Sequence, residues 1–382
     1  MGRTYLDHAS TTPPRPEALE ALRRWADLPA ADPGRLHEEG RLVRDALEEA
    51  RRQVTTLIGV SPRQVVFTSG ATEAINAAVW GATRLRPGAP ILCAEVEHSA
   101  VRDASRRAAP TESIPVDGAA RLDLEYLQSR LASRTLPVPG LVHCQWANHE
   151  VGTLQPVHQV VALCRAAGVV VHVDAAAACG HVPVDLGALN ADLVSLSAHK
   201  LGGLPGAGAL VIRRGSRFEP LLVGGEQERA RRAGQEALPA LLAFGAAAEA
   251  LSASDQQARH AEAATACRQI GEIASVAGAV DQVAVIGPPA AEDRLPYLIC
   301  LGVGGVEAEA VLIGLDREGV AVHSGSACSS ESIEPSPVLG AMGVDPSHSL
   351  RVSVGWTTTD VDVTTFNSAF ARVVSGLRAL RG

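Results

Sequence analysis

Of the 34 lysine and arginine residues in this 382-residue chain, Lys200 alone is lysine. A bias that turns lysine into arginine spares a lysine only where the position needs something arginine lacks. That something is chemical: arginine stays protonated and forms no Schiff base, whereas a lysine amine can lose its proton and attack a carbonyl. Lys200 ends the run Leu193-Val194-Ser195-Leu196-Ser197-Ala198-His199-Lys200, and the glycine-rich stretch Gly202-Gly203-Leu204-Pro205-Gly206-Ala207-Gly208 follows it. A lysine at the end of a buried strand, beside a flexible loop, suits the covalent anchor of an aldehyde cofactor such as pyridoxal 5'-phosphate (PLP). The count alone fits a leftover surface lysine equally well; the context favours the anchor.

Three further stretches carry compatible chemistry. Phe67-Thr68-Ser69-Gly70-Ala71-Thr72-Glu73 reads as a strand, a turn of small residues and a helix start, where backbone N–H groups and the Thr72 hydroxyl would hold a phosphate. Such turns also serve as plain helix caps. Val171-His172-Val173-Asp174 ends an apolar run in a carboxylate, which needs a cation or a structural hydrogen bond. The protonated pyridine nitrogen of PLP is such a cation; an ordinary helix cap is the alternative. Glu97-His98 follows another strand, and a histidine there could stack on a cofactor ring, although a lone histidine is more often structural.

Seven cysteines are present and none forms a CxxC pair, so no metal or dithiol site is expected. Cys93, Cys144 and Cys300 sit in apolar runs and read as small core residues. Cys328 differs: it lies in the small polar loop stretch His323-Ser324-Gly325-Ser326-Ala327-Cys328, where an accessible thiol is a candidate nucleophile.

The elements that must position these residues follow an alternating pattern. Strand-like runs at 65–67, 90–93, 140–143, 169–173 and 209–212 are separated by stretches with helical spacing, such as 73–80 and 157–167. That alternation predicts an α/β sheet covered by helices, with its ligand at the carboxyl ends of the strands. A long alanine-rich helix is expected from about Leu238 to Ile273, and after it shorter strands near Val283, Leu298, Val320 and Arg351 to Val354. We expect residues 16–250 to form a large cofactor-binding domain. Residues 1–15 and 251–382 would form a smaller α+β domain carrying the Cys328 loop. The net charge of −8 argues against a broad basic surface and so against direct nucleic-acid binding. With no apolar run of spanning length and no signal pattern at Met1, no membrane contact and a cytoplasmic location are expected.

Read in order, the motifs resemble the class V aminotransferase family of PLP enzymes, and within it the NifS/IscS-like cysteine desulfurases. The resemblance spans nearly the whole chain. It is carried by Tyr5-Leu6-Asp7-His8-Ala9-Ser10-Thr11-Thr12, Ser69-Gly70-Ala71-Thr72-Glu73, Glu97-His98, Asn148-His149-Glu150-Val151-Gly152, His172-Val173-Asp174, Ser197-Ala198-His199-Lys200 and Ser324-Gly325-Ser326-Ala327-Cys328. The resemblance implies an aspartate-aminotransferase-like, type I PLP fold with a mostly parallel seven-stranded sheet, assembled as a homodimer. It implies that Lys200 is the Schiff-base lysine and proton shuttle. Asp174 would pair with the pyridine nitrogen and His98 would stack on the ring. Ala71, Thr72, Ser197 and His199 would hold the phosphate. Arg351 would clamp the carboxylate of L-cysteine, with Asn148 and His149 beside it, and Cys328 would take the sulfur, with His98 or His323 keeping it a thiolate.

Several positions depart from the family pattern. Its second Asn is His149, the Gln three residues after the Asp is Ala177, Arg-Ser-Gly-Thr reads Arg232-Ala233-Gly234-Gln235, an N-terminal Asn is Asp32, and the Gly-Pro after the lysine is Gly203-Leu204. His149 is expected to fill the space left at Ala177 and to help hold the cofactor. The departures resemble a specialised branch, the cysteine desulfurases of bacterial DNA phosphorothioation, whose sulfur acceptor would be an iron–sulfur protein. Competing expectations are a housekeeping iron–sulfur or tRNA-thiolation desulfurase, a selenocysteine lyase or other class V enzyme, and a PLP-bound scaffold without catalysis.

Overall fold

A computed structural model describes residues 2–253, 256–324 and 335–380. Thirteen strands fall within these residues: β1 Thr4–Tyr5, β2 Val65–Thr68, β3 Ile91–Ala94, β4 Thr111–Ile114, β5 Leu141–Gln145, β6 Val170–Asp174, β7 Leu193–Ser197, β8 Gly208–Ile212, β9 Val283–Ile286, β10 Leu298–Val303, β11 Val320–Ala321, β12 His323–Ser324 and β13 Ser349–Ser353. The helices that bear on the site are α1 Pro16–Trp25, α2 Glu38–Ile58, α3 Ala71–Leu85 and α4 Ser99–Ala108.

Seven strands form one sheet in the order β2-β8-β7-β6-β5-β3-β4. All neighbours are parallel except β8, which runs antiparallel to both β2 and β7. Strands β2, β3, β5, β7 and β8 are buried along their whole length, as runs rich in Val, Leu and Ile must be when helices cover both faces. Because β8 alone is reversed, the carboxyl ends of β2, β3, β5, β6 and β7 reach the same edge. Thr68, Ala94, Gln145, Asp174 and Ser197 therefore lie along that edge.

A second sheet, β12-β13-β10-β9, is antiparallel throughout. Strand β1 pairs in parallel with β11, so the first residues of the chain are tied to its last third. The long alanine-rich stretch is helical over Leu238–Ala253 and Gln256–Gly278, and it runs past the end expected near Ile273. The edge strand β4, Thr-Glu-Ser-Ile, was not legible because three of its four residues are polar. No helix among the described residues is long and apolar enough to cross a membrane.

Helix α2 shows how the outer layer is attached. His37 caps its first turn through Gly40 N, and Gly59 ends it with φ +69°. Its buried stripe Gly40, Val43, Leu47, Ala50, Val54, Ile58 recurs every three or four residues. Arg51 sits on the same stripe, 2% exposed. Its charge is met by Glu228, also buried, in a two-pronged ion pair of 2.6 and 2.7 Å. Glu228 additionally accepts a hydrogen bond of 2.9 Å from the backbone of Phe67 in β2. It holds this place with φ +49°, followed by Arg229 and Ala230 at +60° and +57°, a run that non-glycine residues adopt only under constraint.

Candidate active site

Asp174 is the last residue of β6 and is 9% exposed. Its Oδ1 accepts hydrogen bonds from Ser195 Oγ at 2.8 Å and from Ala176 N at 3.1 Å. Two donors on one oxygen fix the plane of the carboxyl group. Those bonds leave Oδ2 to meet a cation at the sheet edge.

One strand over, β7 ends at Ser197, 3% exposed, and the chain makes a single 3-10 turn, Ala198–Lys200. The sole lysine thus follows directly on a buried strand. Its carbonyl oxygen lies 3.0 Å from His181 Nε2, and the His181 ring stacks on Tyr297 at 3.9 Å. The Tyr297 hydroxyl donates to the carbonyl of Ala177 at 3.1 Å. Burial lowers the pKa of His181 to about 4, so it sits as a neutral ring behind the lysine. His199 is lowered to about 4 as well, by burial and then by Lys200, and its Nδ1 lies 3.1 Å from Thr11 Oγ1.

The turn before α3 is brought to Ser197 by a glycine. Gly208 of β8 stands in register with both Thr68 and Ser197. A Cβ on Gly208 would lie 2.6 Å from Gly70 Cα and 2.6 Å from Leu196 O, so only glycine lets these backbones approach. The N-terminus of α3, with Ala71 and Thr72, therefore opens next to the end of β7. Glu73 in its first turn accepts from Ser69 N at 2.9 Å and pairs with Arg232 at 2.9 and 3.2 Å. That ion pair fixes the Arg232-Ala233-Gly234-Gln235 segment to the same helix.

His98 caps α4 by accepting from Ala100 N at 3.1 Å. The His149 ring meets it edge-on at 5.0 Å, and His149 Nε2 lies 3.5 Å from Glu150 Oε1. Asn148 is fully buried; its amide donates to Val96 O at 3.2 Å and accepts from Glu150 N and Val151 N at 2.8 Å each. Those bonds make Asn148 the builder of the turn that presents His149. Arg351 of β13 is 1% exposed and reaches the same turn, donating to His149 O at 2.9 Å. Its other terminal nitrogen bonds Asp7 at 2.9 Å and Ser10 at 2.5 Å, and its Nε is buried without a partner. A buried guanidinium with an unused N–H beside His149 is suited to a carboxylate.

The edge thus gathers Asp174, Lys200, Ser197, His98, His149, Ala71, Thr72 and Arg351. A carboxylate, an amine, an imidazole and a helix N-terminus make a donor set that fits PLP. Cys328 lies outside the described residues. Sequence reasoning missed Asp7 as the partner of Arg351, although Asp7 stood in a quoted motif, and missed Tyr297 and His181, which no local pattern marks.

The class V aminotransferase family model matches residues 4–366. The cysteine desulfurase of Cereibacter sphaeroides is 37% identical, with 100% of this chain and 98% of that protein covered. Among solved structures, a NifS-like protein superposes with a TM-score of 0.88 at 28% identity, over 98% of this chain and 100% of that one. The structure titled "SspA in complex with cysteine" gives a TM-score of 0.77 at 25% identity, over 92% of this chain and 99% of that one. Sole lysine, strand-end aspartate and these matches agree: the chain belongs to the class V aminotransferase family, as a PLP-dependent enzyme of its cysteine desulfurase branch.

Proposed function

We propose that the protein takes sulfur from L-cysteine, releases L-alanine and leaves a persulfide on Cys328, from which a sulfur-acceptor protein is served. The observation that carries this reading is the placing of the only lysine in the turn directly after β7, the strand whose Ser195 bonds Asp174 at the end of β6. PLP supplies an electron sink for bonds at the substrate α-carbon. Lys200 holds the cofactor and moves the α-proton, and Asp174 Oδ2 stabilises the protonated ring nitrogen. Arg351 orients the substrate carboxylate beside His149. The Cys328 thiolate attacks the substrate sulfur: an S–S bond forms, the Cβ–S bond breaks, and its electron pair passes to the carbon skeleton, which takes up a proton and leaves as alanine.

The state of five of the other six thiols supports Cys328; the sixth, Cys267, is exposed. Burial pushes Cys93, Cys164, Cys179 and Cys300 up to about 12, and Cys144 upward too, so these stay protonated and unreactive. His98 and His323 are the bases this reading offers Cys328. The enzyme works as a cytoplasmic homodimer, and its acceptor is an iron–sulfur protein of a DNA phosphorothioation pathway; the departures at His149, Ala177 and Gln235 support a specialised branch. Cys328→Ser tests the core of this reading. The variant should still change the PLP absorption spectrum on adding cysteine but form neither alanine nor persulfide. Parent-like alanine formation would remove Cys328 from the reaction.

A further inference from the structure

Glu97 is a buried carboxyl group with no assigned task. It is 1% exposed, and its Oε1 accepts one hydrogen bond, 2.7 Å from Gln145 N. Its Oε2 is buried without any hydrogen-bond partner, and no cation lies within ion-pair distance among the described residues. An ionised carboxylate cannot rest in that state: removed from water, it needs a cation or a full set of donors, and otherwise takes up a proton.

Its surroundings link it to the cofactor site. Gln145 and Asp174 are register partners at the ends of β5 and β6, so Glu97 hangs on the residue beside Asp174. The same corner holds the turn before His98, because Gln145 Nε2 and Asn148 Nδ2 both donate to Val96 O, at 2.8 and 3.2 Å. The ionisable groups that feel Glu97 are Asp174 from β6, Arg102 from α4, Cys93 from β3 and Cys144 from β5. Only Arg102 among them is cationic, and both thiols are held protonated.

We infer that Glu97 is a positioning residue of the cofactor site, carried as a neutral carboxylic acid, which leaves Asp174 as the single negative charge facing the pyridine nitrogen. Two carboxylates on either side of Gln145 would repel each other, and the more buried, less solvated one keeps the proton. The proton resides on Oε2, because Oε1 is occupied by Gln145 N–H. Burial, and then Asp174, raise Glu97 to about 8. Below that pH the site holds one anion. Above it a second charge appears beside the first and the cofactor's surroundings change.

The inference rests on Asp174 facing the pyridine nitrogen, so Asp174→Asn is the control. Glu97→Gln keeps the acceptor for Gln145 N and removes the titrating proton. Infrared spectra of the holoenzyme at pH 7 should contain the stretch of a protonated buried carboxyl, absent in Glu97→Gln and lost from the parent above about pH 9. PLP affinity at pH 7 should agree between Glu97→Gln and parent within roughly threefold, whereas the bound-PLP absorption of the parent alone should gain a transition near pH 8. Missing infrared band in the parent at pH 7, or a loss of PLP affinity above about tenfold in Glu97→Gln, would mean that Glu97 is charged and used as such. If Asp174→Asn binds PLP as the parent does, the pyridine partner has been misassigned instead.

Discussion

Asp174→Asn isolates one charge. In the structure the two hydrogen bonds to this side chain, from Ser195 Oγ and Ala176 N, both end on Oδ1. An asparagine can keep both with its carbonyl oxygen and change only Oδ2, from an anionic acceptor to an amide donor. The substitution therefore leaves the strand end in place while removing the negative charge and setting an N–H against a protonated ring nitrogen. Electrostatic groups of this kind contribute roughly 3–4 kcal/mol where charge develops, about two to three decades in kcat/KM. Alanine release from L-cysteine reads the rate, and titration of apo-protein with PLP reads affinity. The melting temperature of the apo-protein should not fall, because both hydrogen bonds to Oδ1 survive the substitution. An Asn variant within about fivefold of the parent in both rate and PLP affinity would refute the pairing, since neither Oδ1 bond can account for a loss that does not occur.

Two other outcomes follow from single contacts. Lys200→Ala removes the only lysine, so borohydride treatment of the variant with PLP should fix no cofactor on any side chain, by mass spectrometry of the digested chain; a labelled internal peptide would show that another group forms the linkage. Glu228→Gln leaves Arg51 buried without its two-pronged partner and should cost about 3–5 kcal/mol in denaturant unfolding, where a loss below about 1 kcal/mol would show that Glu48 at 3.1 Å suffices for Arg51.

The sequence showed the site's first contacts and little of what holds them. Lys200 was legible because its residue type is unique in the chain, and Asp174 because a carboxylate ended an apolar run. The strands of the seven-stranded sheet were legible where both faces are buried, since such runs are continuously apolar; β4 escaped because three of its four residues are polar, with Ile114 alone buried. The tie of Arg351 to Asp7 spans 344 positions, and that of Glu228 to Arg51 spans 177. Local periodicity cannot register a pair whose partners meet only after the sheet has closed. Gly208 illustrates the same limit: its glycine looked like loop punctuation, yet it is required because Gly70 in the turn before α3 and Leu196 in β7 both approach it.

The departure at His149 and Ala177 gains a physical reading from the same contacts. His149 was expected to fill the space left by the shorter Ala177. In the structure the His149 ring leans on His98 and its Nε2 approaches Glu150, while Ala177 is fixed through its backbone by Tyr297, whose ring lies against His181. The main chain at position 177 is thus anchored by Tyr297, and the His149 ring makes its contacts with His98 and Glu150. Tyr297 is 2% exposed and its phenol is pushed up by burial, so it remains a neutral donor. The backbone after Asp174 is then held at both ends, by Ser195 and Ala176 N at the carboxylate and by Tyr297 three residues on. His149 is left to serve the other side of the site, where its carbonyl holds Arg351 and its ring holds His98. A substitution at His149 would accordingly remove the edge-on contact with His98 and keep the carbonyl that holds Arg351, whereas one at Tyr297 would loosen the strand end that carries Asp174.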